Sequence, residues 1–228
     1  LAWIQYGGGA ELLDELQTKI LKVNVRSYFA MPMPTQPLGW FKFHVTSAKQ
    51  MIGLKYRTVG LATDIMQGMG LKVTQLPGGE IVPAMERGAI DATEFSLPVV
   101  DSRLGFDRIA KFNYFPGWHQ QVSVSELLMN KDEWNKLSEQ HQMIIKVGLG
   151  DSVMHTFAET EAMNFGAMKV MADKHGVKLR RWPDSTLAKF EMAWNEVVKE
   201  ESAKNALFKK VADHFYAFRK DYSVWGNA

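Results

Sequence analysis

The stretch from Leu54 to Phe95, LKYRTVGLATDIMQGMGLKVTQLPGGEIVPAMERGAIDATEF, decides the fold. Leu54 to Val59 reads as a strand, and Gly60 separates it from a helix over about 62–69. A short strand over 72–76 leads through Gly78-Gly79 into a helix over 81–87, closed by Gly88. Residues 90–95 form the next strand. Strands alternating with short helices are the pattern of an α/β fold with a largely parallel sheet.

On the N-terminal side, Leu1 to Tyr6 reads as part of an amphipathic element. A helix follows over 9–23, with Leu12, Leu13, Leu16, Ile20 and Leu21 near the 3.6-residue period. Residues 23–31 are extended, Pro32, Pro34 and Pro37 end that run, and Trp40 to Val45 is a further strand. On the C-terminal side, 122–129 is a longer strand with Val122 and Val124 alternating against Ser123 and Ser125. From Ser138 to His175 the chain is almost continuously helix-compatible, with Ile144, Val147, Met154, Phe157, Phe165, Met168 and Ala172 as an apolar stripe. Such a helix reaches ~55 Å, longer than a small domain is wide, and so most simply spans two lobes. Gly148 and Gly150 are where it is expected to bend. Residues 177–182 form a strand, and 187–222 are helical and amphipathic.

Composition narrows the function. The chain has 228 residues, 46% of them apolar and 23% charged, which excludes a disordered polypeptide. Lys and Arg total 27 against 25 Asp and Glu, a net +2 too balanced for a protein that grips nucleic-acid phosphates. There is no cysteine, hence no thiolate nucleophile, thiolate metal site or disulfide. No apolar run approaches the ~18 residues of a membrane span. The six histidines show no metal-ligand spacing, and no GxSxG or GxxxxGK[ST] motif occurs. Gly7-Gly8-Gly9 either cradles a phosphate or simply starts a helix.

What remains suits holding an anion without attacking it. Arg57 stands near the carboxyl end of a strand, where ligands gather in open α/β sheets. Its guanidinium stays charged and meets a carboxylate as a planar fork. Phe95 also ends a strand, and Pro116-Gly117-Trp118-His119-Gln120-Gln121 forms an aromatic, polar turn.

Here a family likeness enters. Gly53-Leu-Lys-Tyr-Arg57, followed by Gly78-Gly79-Glu80-Ile-Val-Pro-Ala-Met-Glu86-Arg-Gly88-Ala-Ile-Asp91-Ala92, resembles the substrate-binding subunits of tripartite ATP-independent periplasmic (TRAP) transporters. Tyr114-Phe-Pro-Gly-Trp118 and Trp3-Ile-Gln-Tyr-Gly-Gly-Gly9 are similar to the branch that binds 2-oxo acids and related monocarboxylates. The resemblance implies a two-lobed, hinged α/β fold of the periplasmic-binding-protein type (type II), with a long lobe-spanning helix. It implies a cleft that closes on a small organic acid and a membrane permease that receives it. It also implies a periplasmic location, no catalysis, and an upstream stretch carrying a signal peptide and the first strands of lobe one. With neither an initiator Met nor a signal peptide in sight, a truncated chain with an incomplete first lobe is expected, a processed N-terminus being the alternative.

On that likeness, residues 1–32 are the remainder of lobe one and 33–121 are mainly lobe two with the cleft residues. Residues 122–228 return to lobe one through a strand, the connecting helix and the C-terminal helices, which either pack on a second copy as a homodimer or cover their own lobe. Arg57 corresponds to the arginine that pairs with the solute carboxylate, and Gln36 to a glutamine facing a cation and the solute. Phe95 falls where the branch often has tryptophan, offering a carbonyl and an aromatic wall, and Trp118 adds to the substrate site. Gln120 falls where a metal-binding glutamate is expected, so a sodium or calcium ion bridging the solute would be held by Gln36, Phe95 and Gln120 with reduced affinity. The competing reading is a cytoplasmic α/β enzyme with Arg57 as substrate anchor and His119 as general acid or base.

Overall fold

The computed structural model describes residues 1–226. Eight strands form: β1 (Val25–Met33), β2 (Gly39–Phe41), β3 (Lys55–Arg57), β4 (Lys72–Thr74), β5 (Ala92–Thr93), β6 (Phe112–Phe115), β7 (Ser123–Asn130) and β8 (Lys178–Arg181). The helices expected between β3 and β5 lie at Ala62–Gly68 and Gly78–Glu86. Two further helices, Pro98–Leu104 and Phe106–Ile109, and strand β6 carry no clear periodic signal in the sequence.

The chain divides into two compact units, one of residues Leu1–Pro32, Val124–His155 and Val198–Ala228, the other of Met33–Ser123 and Thr156–Val197. The stretch grouped from sequence as 122–228 is thus shared out. Residues 156–197 go with 33–123, because β8 pairs in parallel with β6 and Met171 and Val177 are buried beside Trp40 and Phe106.

The larger unit is built on a six-stranded sheet in the order β4-β3-β5-β2-β6-β8. Pairs β3–β4, β3–β5 and β6–β8 are parallel, as expected for crossover connections. The sheet is nevertheless mixed, since β2 runs antiparallel to both β5 and β6. Successive residues of a strand face opposite sides, so Trp40 and Phe41 serve two cores. Phe41 packs with Met51, Tyr56, Met66, Tyr114, Trp182 and Phe190. Trp40 packs with Ile81, Met85, Ile90, Phe106 and Met171.

In the other unit, β1 and β7 form a two-stranded sheet. The C-terminal helix Ala206–Gly226 covers its own unit, with Trp3 Nε1 donating to His214 Nδ1 at 3.0 Å and Lys210 paired to Glu15 at 2.7 Å. That packing accounts for the glycines at 7–9. A Cβ on Gly7 would meet the Phe218 ring at 2.7 Å and one on Gly8 the His214 ring at 2.8 Å. These glycines let helices approach; they do not form a phosphate cradle.

The long helix runs unbroken from Glu139 to His175, without interruption at Gly148 or Gly150. Its carboxyl end is fixed by His175, which pairs with Asp107 through Nδ1 and accepts a hydrogen bond from Lys111 Nζ at 3.0 Å on its carbonyl. Along it, Ile144, Val147, Met154 and Phe165 of the apolar stripe stand exposed.

One buried acid behind the sheet makes the fold pH-sensitive. Asp101 is fully buried, with Oδ2 accepting from Trp40 Nε1 at 2.8 Å. Burial above all, against the indole hydrogen bond and with the Glu94 charge adding, pushes its carboxyl up from 3.8 to about 7. The folded protein therefore holds this proton more tightly than the unfolded chain does. The contribution of Asp101 to stability falls as pH rises from about 4 to about 7 and levels off above. Asp101→Asn keeps an acceptor for Trp40 and removes the charge. Thermal melts at pH 4, 6 and 8 are expected to show the variant gaining on the wild type with rising pH, with the gain bounded by about 1.4 kcal/mol per pKa unit. A constant difference across that range would contradict the assignment.

Candidate functional site

Strands β3 and β5 are parallel neighbours with Arg57 opposite Thr93, which sets Glu94, the next residue, beside the arginine. Arg57 is 5% exposed and Glu94 4%. Arg57 Nη1 donates to Glu94 Oε1 at 2.9 Å and to the Glu94 carbonyl at 3.0 Å, while Nε donates to the Leu76 carbonyl at 2.9 Å. The guanidinium carbon lies 5.9 Å from the centre of the Phe95 ring, within cation–π range. Phe95 in turn stacks on Phe106, and Gly78 leaves room for it, since a Cβ there would sit 2.6 Å from the ring.

Glu94 gathers the rest of the group. Its Oε1 also accepts from Thr58 Oγ1 at 3.2 Å, and its Oε2 accepts from Gln36 Nε2 at 2.8 Å. Gln36 Nε2 stands 3.0 Å from His119 Nε2, while His119 Nε2 is 3.9 Å from Glu94 Oε2. Two buried polar atoms of this group have no partner among the described residues: Gln36 Oε1 and His119 Nδ1. A buried polar atom without a partner is uncommon and marks a place where a ligand, ion or water completes the bonding.

The charges decide what the group can take. Arg57 and Glu94 neutralise each other in a setting where unpaired charge is strongly disfavoured. A monoanion alone would leave one negative charge in excess, and a cation entering with it restores the balance. The oxygens suit a hard cation: Glu94 supplies an anionic carboxylate, Gln36 Oε1 an amide oxygen and the Glu94 carbonyl lies alongside. Among the described residues no three His, Asp or Glu side chains cluster to hold a metal by themselves, so the solute would have to contribute ligands.

The residues singled out from sequence are thus brought together in part. Arg57, Gln36 and Phe95 meet. Trp118 instead stacks on Phe190 at 5.8 Å against the first core. The Gln120 side chain donates to Ser123, and its carbonyl accepts from the Gln36 amide at 3.4 Å, which braces the turn. The carboxylate in this group is that of Glu94. The planar fork expected of Arg57 is also changed: with Nη1 and Nε engaged, Nη2 is the donor left for an anion.

Residues 37–205 match the family of bacterial extracellular solute-binding proteins, family 7, also named DctP. The chain belongs to this family. A monocarboxylate 2-oxoacid-binding periplasmic protein of Nostoc sp. is 32% identical over 225 residues, covering 98% of this chain and 60% of the relative. The chain therefore spans about three-fifths of that curated relative's length. Among solved structures, a TRAP transporter solute-binding protein of Bordetella bronchiseptica, with copurified calcium and picolinate, superposes at a TM-score of 0.89 with 30% identity, covering 98% of this chain and 66% of that one. A Colwellia psychrerythraea TRAP solute-binding protein with calcium and pyruvate gives 0.89 at 27%, covering 99% and 68%. One from Pseudoalteromonas atlantica with sodium and pyruvate gives 0.87 at 26%, covering 98% and 67%. The α/β fold of TRAP solute-binding proteins, expected from the Gly78–Ala92 block, is the fold of this family 7 chain.

Proposed function

We propose that this family 7 protein captures a small 2-oxo or 2-hydroxy monocarboxylate in the periplasm, unchanged, for delivery to a TRAP permease. Arg57 Nη2 binds the carboxylate, and Glu94 and Gln36 hold a sodium or calcium ion that neutralises and bridges the solute. The observation that carries this reading is the buried, mutually neutral Arg57–Glu94 pair with an unpartnered Gln36 oxygen beside it. Relatives named for 2-oxo acids, pyruvate and picolinate, with calcium or sodium, support the same solute class. Two charge-assisted hydrogen bonds from Nη2, at about 1.5–3 kcal/mol each, bring the total near the −8 kcal/mol of micromolar binding once aromatic contact is added. The acid–base reading needs a partner that orients the imidazole for proton transfer; His119 Nδ1 has none among the described residues and Nε2 faces the Gln36 amide, so the same geometry favours binding.

Calorimetry with pyruvate on the full-length polypeptide tests this. Binding is expected in sodium or calcium chloride and weaker by at least tenfold, about 1.4 kcal/mol, in choline chloride with chelator. Equal affinity in both solutions would remove the cation from the proposal, and no binding in either would remove the solute class.

A further inference from the structure

The two unpartnered atoms beside Glu94 are linked by one chain of hydrogen-bonding logic. Gln36 is 1% exposed, and its Nε2 faces both Glu94 Oε2 at 2.8 Å and His119 Nε2 at 3.0 Å. A carboxylate has no hydrogen to give, so the amide edge facing Glu94 must be the N–H edge. The other carboxylate oxygen, Glu94 Oε1, is already taken by Arg57 Nη1 at 2.9 Å and Thr58 Oγ1 at 3.2 Å. The second amide hydrogen then points at His119 Nε2, which must offer a lone pair. A neutral ring with a lone pair on Nε2 carries its proton on Nδ1.

The backbone enforces this approach. A Cβ on Gly117 would lie 1.5 Å from the Gln36 carbonyl oxygen, so only glycine lets the turn carrying His119 come this close. Thr35 Oγ1 and the Gln36 amide both donate to the Gln120 carbonyl at 3.4 Å, tying residues 35–36 to the residue after the histidine.

We propose that His119 is a positioning residue: by accepting an amide hydrogen at Nε2, it holds the Gln36 amide so that Oε1 is the atom presented to the bound cation and solute. This rests on the reading that Gln36 Oε1 is a ligand. Without the imidazole acceptor, one amide N–H loses its buried partner and Glu94 alone holds the amide, so Oε1 is less firmly fixed toward the ligand. Outer groups that orient a metal's ligands change affinity by about 10–100-fold when removed.

Two measurements on the full-length polypeptide test the proposal. Long-range proton–nitrogen correlation spectra at pH 7 are expected to show His119 protonated on Nδ1 alone; a proton on Nε2 would overturn the proposal. Pyruvate titrations in calcium chloride are expected to show His119→Leu weakened about tenfold. His119→Gln, whose amide oxygen accepts the same N–H, is expected close to wild type, with melting temperatures of both variants confirming folded protein. In a Gln36→Ala background, His119→Leu is expected to cost nothing further. An equal loss in both backgrounds would show that His119 acts independently of Gln36 and overturn the positioning role while leaving the solute reading intact. Failure of the wild type to bind pyruvate would instead strike the solute reading, and the spectra would still decide the tautomer.

Discussion

Arg57→Ala is expected to abolish pyruvate binding and to lower stability by about 3–5 kcal/mol, because truncating one partner leaves the other as an uncompensated buried charge. Its place at a strand end would by itself make this arginine an anchor whose removal spares the fold. Its burial against Glu94 changes that expectation: the pair is 2.9 Å apart with both side chains about 5% exposed. Arg57→Met combined with Glu94→Gln removes both charges together. That double variant is expected to recover most of the stability in urea unfolding and none of the affinity in calorimetry, which separates the structural from the binding role. An Arg57→Ala protein as stable as wild type would mean that the pair is not buried in solution. Retained pyruvate affinity would mean that another group binds the carboxylate.

Gly117→Ala is the second large effect. The added methyl would lie 1.5 Å from the Gln36 oxygen and 2.6 Å from its carbonyl carbon, both main-chain atoms that no rotamer change can clear. Either the turn or residue 36 must move, and overpacking of this kind costs about 3 kcal/mol or more. Because Gln36 carries the oxygen assigned to the ligand, affinity for pyruvate is expected to fall with stability. Gly148→Ala, in the long helix with open space around it, is the contrasting case: urea unfolding is expected to show no loss, and a gain of up to ~1 kcal/mol from helix propensity. If both substitutions behave alike, close approach at Gly117 is not what fixes the turn.

Much of the scaffold was legible because its periodic signals are local. The alternation over 54–95 and the continuous helical run to His175 each depend on residues a few positions apart, and both elements are present. Strand β6 was hidden because Phe112-Asn113-Tyr114-Phe115 carries no polar alternation: it lies within the sheet between β2 and β8, and Asn113 is itself buried. The reversed direction of β2 was equally invisible, since strand polarity depends on long-range pairing rather than on composition.

The site divides in the same way. Arg57 could be found from its place at a strand end. Glu94 could not, because its partner is 37 positions away and only the parallel register of β3 and β5 brings them together. A signal was nonetheless present: a glutamate at the end of a strand rich in small residues, next to Phe95, is an unusual choice for a buried position. Trp118 and Gln120 were grouped with the site through their turn, and the side chain of that turn that faces the Gln36 amide at 3.0 Å is His119.

A crystal structure of the full-length polypeptide with pyruvate and calcium tests the central claim most directly. The expected result places a pyruvate carboxylate oxygen within hydrogen-bond distance of Arg57 Nη2, with the cation on Glu94 and Gln36 Oε1. Pyruvate bound elsewhere, with Arg57, Glu94 and Gln36 bonded only to one another, would contradict it.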